Sequence, residues 1–233
     1  MKPILVLFDI DGTILKVEDG LSKSIFQKVF CDFFNLKEYS ADFDFDFSGL
    51  TDLEILFRLS QIYNIDFQLV IENQSQLWQK LLDEFKMHCK KDKIFIYENV
   101  MEFISELNER DNVTLGLLTG NFQECAYYKL ELVGLKKYFP FGAFGNESLE
   151  RSKLHRIAIT RGNTFIGKEI FFNYNTFVIG DSIADILASK ANDIKVIAVA
   201  TGKTPYEILA ERQPNLLVHS FSEEENIFNF LGL

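Results

Sequence analysis

The stretch that most constrains the fold is Ile4-Leu-Val-Leu-Phe8, an unbroken apolar run ended by Asp9-Ile10-Asp11-Gly12-Thr13. A run this short, β-branched and aromatic, reads as a strand buried on both faces, as in a parallel sheet covered by helices. Asp9 then falls at the strand's carboxyl end, the rim where open α/β sheets bind ligands. Gly12 allows a sharp turn and offers an unobstructed N–H. In an extended segment Asp9 and Asp11 point the same way. Two like charges so placed repel unless a cation or a proton lies between them. With hard oxygen donors and no nearby His or Cys, Mg²⁺ is the simplest such cation. Alone, Asp-x-Asp-Gly also fits an ordinary strand-to-turn signal.

Two other strand ends repeat the pattern. Val113–Leu118 runs into Thr119-Gly120-Asn121, where a hydroxyl and backbone N–H groups at a helix start suit an anion, or cap the helix. Val178-Ile179-Gly180 runs into Asp181-Ser182-Ile183-Ala184-Asp185, with two carboxylates four residues apart on one side of a helix start. Capping by Asp181 or Ser182 is the competing use.

Phe8-Asp9-Ile10-Asp11-Gly12-Thr13 resembles the first motif of the haloacid dehalogenase-like (HAD) superfamily of aspartate-nucleophile phosphatases. The resemblance implies that Asp9 attacks phosphorus, that Asp11 is the general acid and base, and that Gly12 and Thr13 lie beside the phosphoryl group. Thr119 matches the second motif, with Gly120 and Asn121 as further phosphate contacts. Asp181 and Asp185 match the fourth, which implies Mg²⁺ held by Asp9, Asp11 (through its carbonyl) and Asp181, with Asp185 supporting the metal shell. The third motif supplies a cation. Its usual Lys-Pro pair is absent, and the candidates are Arg151 first and Lys153 second, since a cation at a helix start needs an anionic partner.

From residue 99 onward helical and strand-like periods alternate, giving strands near 113–118, 141–144, 176–180, 195–199 and 215–218. Helices are expected over 99–110, 122–133, 152–161, 183–191 and 204–212. Before that, residues 16 to 93 read as all-helical, with helices over 20–35, from about 52, and over 67–90. The expected architecture is a Rossmann-like, doubly wound parallel sheet from residues 1–15 and 94–233, with a helical cap at 16–93. The acidic and aromatic stretch Tyr39 to Phe47 reads as a solvated loop. Substrate-selecting contacts are expected from Leu15 to Leu21 and Gly49 to Asp52.

The net charge of −10 argues against a polyanion partner such as nucleic acid. Cys31, Cys89 and Cys125 lack paired spacing and read as reduced structural thiols. His88, His155 and His219 have no partners at ligand spacing. The N-terminal run is broken too early for a secretory signal and nothing approaches a membrane span, so a cytoplasmic enzyme, monomer or homodimer, is expected. Its partner would be a small phosphorylated metabolite. The leading expectation is a phosphatase. A phosphomutase keeps the same elements, and a non-catalytic phospholigand-binding protein would need no nucleophile.

Overall fold

The computed structural model describes residues 2–36 and 45–233. Ile4–Phe8 forms β1, every residue of it buried, with parallel partners on both edges. The sheet also contains β4 (Val113–Leu118), β5 (Gly142–Ala143), β6 (Thr176–Gly180), β7 (Lys195–Val199) and β8 (Leu216–Val218). Its order is β5-β4-β1-β6-β7-β8, and all pairings are parallel. The chain's first strand thus sits between β4 and β6, which brings three strand ends from distant parts of the sequence side by side.

The connecting helices are α5 (Val100–Asn108), α6 (Gln123–Leu132), α7 (Arg151–Ile166), α8 (Ile183–Lys190) and α9 (Tyr206–Glu211), with α10 (Glu224–Leu231) last. They cover the sheet with two apolar clusters. Val6 and Phe8 of β1 belong to one, Leu5 and Leu7 to the other, as the alternation of strand side chains requires. Phe8 is fully buried and packs edge-on against Phe103 and Phe139. Truncating it to Ala would cost about 3–5 kcal/mol.

Between β1 and α5 lie β2 (Leu15–Val17), α1 (Leu21–Phe33), α2 (Asp52–Ile62), α3 (Phe67–Glu72), α4 (Gln74–His88) and β3 (Ile94–Ile96). Three differences from the sequence expectations stand out here and at the C-terminus. First, β2 and β3 pair antiparallel in a two-stranded ribbon at the two ends of the helical insert, where only helix and turn were expected. Three-residue strands are too short to show a period. Second, the single helix expected over 67–90 is two, because the Asn73 side chain bonds the Leu69 carbonyl and ends the first at a non-helical residue. Third, α10 was not anticipated; its face of Ile227, Phe228 and Leu231 is buried, and it stops at Gly232 with φ 78°. α7 also runs past its expected end, reaching Ile166 before Gly167 closes it.

Phe26 and Phe30 of α1 and Trp78 and Phe85 of α4 join the same cluster as the core's Phe122, so the insert packs directly on the sheet domain. Of the acidic and aromatic stretch, residues 39–44 lie outside the described residues; Phe45 to Phe47 are irregular in structure. No helix among the described residues is long and apolar enough to cross a membrane.

Candidate active site

Three adjacent strands, β4, β1 and β6, end at one cavity of about 680 Å³ between the sheet's carboxyl edge and the helical insert. Asp9 follows β1 directly, its N–H bonded to the Ile179 carbonyl of β6 (3.0 Å), so the sheet itself holds its backbone. Asp181 follows β6. Its Oδ1 accepts from the Thr13 hydroxyl (3.0 Å), which ties the first turn to the β6 end. Gly12 makes that closeness possible. It has φ 92°, and a Cβ there would overlap the Asp181 carboxylate.

Asp9, Asp181 and Asp185 are all buried and offer oxygens lying within 4.8 Å of one another. Ser182, not Asp181, caps α8, in a reciprocal box with Asp185: the Asp185 N–H donates to Ser182 Oγ (3.1 Å) while the Ser182 N–H donates to Asp185 Oδ2 (3.1 Å), which also accepts the Ser182 hydroxyl (2.6 Å). That leaves Asp185 Oδ1 for Arg151, whose guanidinium lies 2.5 Å from it and 3.2 Å from Asp9 Oδ1. Arg151 is the first residue of α7, a position where the macrodipole opposes a cation. Burial also opposes its charge, yet Asp185 and Asp9 outweigh both and hold it protonated. Its buried Nε has no hydrogen-bond partner among the described residues. Lys153, the second candidate, is exposed, pairs with Glu150 (2.7 Å) and does not line the cavity.

One guanidinium does not balance three carboxylates. Burial raises the Asp9 carboxyl to about 6, against the pull of Arg151, and the Asp185 charge adds to the rise. Burial and the neighbouring Asp9 and Asp185 push Asp181 well above the usual carboxylate range. A buried cluster of hard oxygens with surplus negative charge fits a divalent cation such as Mg²⁺. The Asp11 carboxylate is not part of that cluster. It turns to Lys129 Nζ (2.7 Å) and Asn121 Nδ2 (2.7 Å).

At the β4 end, Thr119 is fully buried, and its Oγ accepts from the Asn121 side chain (2.9 Å). Gly120 and Asn121 line the cavity. Here the insert is joined to the sheet domain through main chain. The Asp52 and Leu53 N–H groups at the start of α2 donate to the Gly120 (2.7 Å) and Gly145 (3.0 Å) carbonyls. In return the Asp52 carboxylate accepts the Phe122 N–H (2.7 Å) at the start of α6. Two helix starts, each with orphan donors, are thereby satisfied across the boundary. Burial lifts Asp52 to about 7, even with that N–H bond and Lys129 nearby favouring the charge.

Sequence reasoning missed Lys129 altogether and saw Asp52 only as a cap or the end of a substrate-facing stretch; Thr51 caps α2. Both carried a signal. Lys129 falls on the buried face of α6 with Cys125, Ala126 and Leu130, where a charge without a partner would not be tolerated. His155 is buried against Ser189 Oγ (3.1 Å), His88 pairs with Glu84 on the surface, and His219 stacks on Tyr206, so none enters the site.

The model of the haloacid dehalogenase-like hydrolase family matches residues 6–199. A phosphoglycolate phosphatase of Vibrio parahaemolyticus is 26% identical, the match covering 94% of this chain and 93% of the relative. A putative pyrophosphatase, PpaX, of Caldanaerobacter subterraneus is 23% identical over 94% of this chain and 91% of its own length. Among solved structures, β-phosphoglucomutase from Clostridium difficile superposes with a TM-score of 0.73 at 17% identity, covering 100% of this chain and 98% of the other. A HAD phosphatase from Thermococcus onnurineus gives 0.61 at 20%, covering 98% of each. With the family model spanning the stretch from β1 to β7, and all three strand ends inside it, the chain belongs to the haloacid dehalogenase-like hydrolases.

Proposed function

We propose that this protein is a Mg²⁺-dependent phosphatase that hydrolyses a small phosphomonoester through an aspartyl-phosphate on Asp9. The observation that carries the reading is Arg151, buried and bridging Asp9 and Asp185 beside the carboxylate cluster at the strand ends. Such a guanidinium orients the Asp9 oxygen and presents further donors to phosphoryl oxygens. The relative named phosphoglycolate phosphatase supports a small phosphomonoester, and the one named pyrophosphatase supports hydrolysis at phosphorus.

Asp9, Asp181 and Asp185, with the Asp11 carbonyl, are the groups that would hold Mg²⁺. When bound, the cation would cancel negative charge that otherwise repels a phosphate dianion. In the first step an Asp9 carboxylate oxygen bonds to phosphorus as the bond to the leaving oxygen breaks, and Asp11 gives that oxygen its proton. In the second, Asp11 takes a proton from water as the water oxygen bonds to phosphorus and the Asp9–phosphorus bond breaks, releasing phosphate. Thr119, Gly120 and Arg151 hold the non-reacting oxygens. Residues 16–93 act as a cap over this chemistry, and Leu15 to Leu21 with Gly49 to Asp52 face the substrate's remainder.

The test is a screen of small phosphomonoesters with Mg²⁺ and with EDTA, run beside Asp9→Asn. Turnover that needs both the metal and Asp9 is expected, with a loss of at least about 10³-fold on substitution, the scale set by removing a covalent nucleophile. Hydrolysis surviving Asp9→Asn would reject the reading. Transfer of phosphate between positions of one sugar phosphate, with little phosphate released, would identify a phosphomutase instead.

A further inference from the structure

Among the described residues, Lys129 is the buried cation in the cavity wall that the chemistry above does not use. It projects from α6, 2% exposed, with its stem in the apolar cluster and its ammonium 5.6 Å from the Phe85 ring of α4. Removing an ammonium from water costs several kcal/mol, and an apolar side chain of similar length would suit those neighbours better. Its polar contacts are specific. Nζ donates to Asp11 Oδ2 (2.7 Å) and to Asn121 Oδ1 (2.6 Å), while Asn121 Nδ2 donates to that same Asp11 oxygen (2.7 Å) and to Thr119 Oγ (2.9 Å).

Asp11 Oδ2 therefore receives two donors, one from a charged group. Oδ1 has no hydrogen-bond partner among the described residues. The two residues also differ in their access to solvent: the Asp11 side chain is 37% exposed, whereas that of Lys129 is sealed. Asp11 stands next to Gly12, whose φ of 92° turns the chain directly after it. Lys129 and Asn121 supply the hydrogen bonds that hold the carboxyl among the described residues.

We infer that Lys129 is a positioning residue for the acid–base step: with Asn121 it clamps Oδ2 of Asp11 and leaves Oδ1 as the oxygen that passes the proton. This rests on the phosphatase reading above. When the phosphorus–oxygen bond to the leaving group breaks, the proton on Oδ1 goes to that oxygen; when water attacks, its proton returns to Oδ1. The same clamp links the acid to Thr119 through Asn121, so the proton donor and the phosphate-holding loop move as one unit.

A leaving-group series separates this role from a structural one. Wild type, Lys129→Met, Asp11→Asn and the double variant are compared on 4-nitrophenyl phosphate, whose leaving oxygen needs no proton, and on benzyl phosphate, whose leaving oxygen does. Lys129→Met is expected to lower kcat/KM for benzyl phosphate by roughly 10- to 100-fold, a part of what general acid catalysis contributes, and for 4-nitrophenyl phosphate by no more than about 3-fold. In the Asp11→Asn background it should add less than about 2-fold, because the group it positions is already gone. Lys129→Arg, which keeps the charge, should restore part of the benzyl phosphate rate. If Lys129→Met does not fold, Lys129→Gln, neutral but polar, takes its place with the same bias expected. Equal losses on the two esters, or losses that multiply with Asp11→Asn, would overturn the inference while leaving the phosphatase reading intact. A wild type inactive on both esters and on the phosphomonoester screen would overturn that reading and this one with it.

Discussion

Asp181→Asn should make the metal-free protein more stable, an unusual outcome for a substitution at a buried position. Three carboxylates with oxygens within 4.8 Å of one another repel by at least about 3.5 kcal/mol per ionised pair at an effective dielectric of about 20. Protonation already relieves part of this: lifting Asp9 from 3.8 to about 6 corresponds to about 3 kcal/mol lost on ionising it in the folded state. The amide introduced by Asp181→Asn would keep an acceptor for the Thr13 hydroxyl but remove the charge, so a net gain of about 1–3 kcal/mol remains after the lost attraction to Arg151. For a chain of this size that is roughly 3–10 °C in melting temperature.

The sign with pH follows from the direction of the shift. A carboxyl raised in the fold, as burial with Asp9 and Asp185 raises Asp181, binds more protons folded than unfolded, so its penalty grows as pH rises above the ordinary carboxylate value and disappears below it. The gain should therefore be present at pH 8 and shrink at pH 5. Wild type should gain about 2.7 kcal/mol from Mg²⁺ at 100 times its dissociation constant, and Asp181→Asn should lose most of that increment. Scanning calorimetry in EDTA and in Mg²⁺, at both pH values, measures every term. An Asp181→Asn protein less stable than wild type in EDTA, with its Mg²⁺ increment unchanged, would refute the charge argument.

Gly12→Ala combines a left-handed backbone with overlap of the Asp181 carboxylate, so it should cost over about 2 kcal/mol and abolish turnover; unchanged melting and activity would contradict the close approach. Burial, reinforced by Arg151, lowers the His155 imidazole to about 4. The unfolded chain then takes up its proton near 6.5 and the folded one only near 4, so His155 contributes stability above pH 6.5 that is lost as pH falls towards 4, about 3 kcal/mol in all. His155→Gln should flatten that part of a denaturation-against-pH curve. Cys31, Cys89 and Cys125 are free and buried, so a thiol reagent should label none in the native protein and three in denaturant.

How much of this was legible beforehand differs by element. The buried run at residues 4–8 announced a parallel sheet because a strand covered on both faces has no room for polar alternation, and the acids at its end could only stand at the ligand-binding rim. The strands at 113–118, 176–180 and 195–199 carried the same signal and were read within a residue. α10 and the β2–β3 ribbon were not, the ribbon because three residues show no period, and the break at Asn73 escaped because its side chain's competition with the helix is decided by local geometry. Arg151 was ranked ahead of Lys153 from its place at the helix start, with Lys153 kept as the second candidate. Folding separated them, since a helix turn places residue 151 toward the sheet edge and residue 153 toward solvent.

By itself, then, the sequence determined the layered α/β class and the identity of the acids at the strand ends, because periodicity and strand-end position are local properties of the chain. Only the tertiary structure decided which charges meet. The ordering β4-β1-β6 joins residues 9, 119 and 181 and sets Lys129 of α6 against Asp11, while the insert's packing brings Asp52 to Phe122. Such pairings arise from the crossing of elements more than a hundred residues apart, or from opposite sides of a domain boundary. No spacing along the chain encodes them.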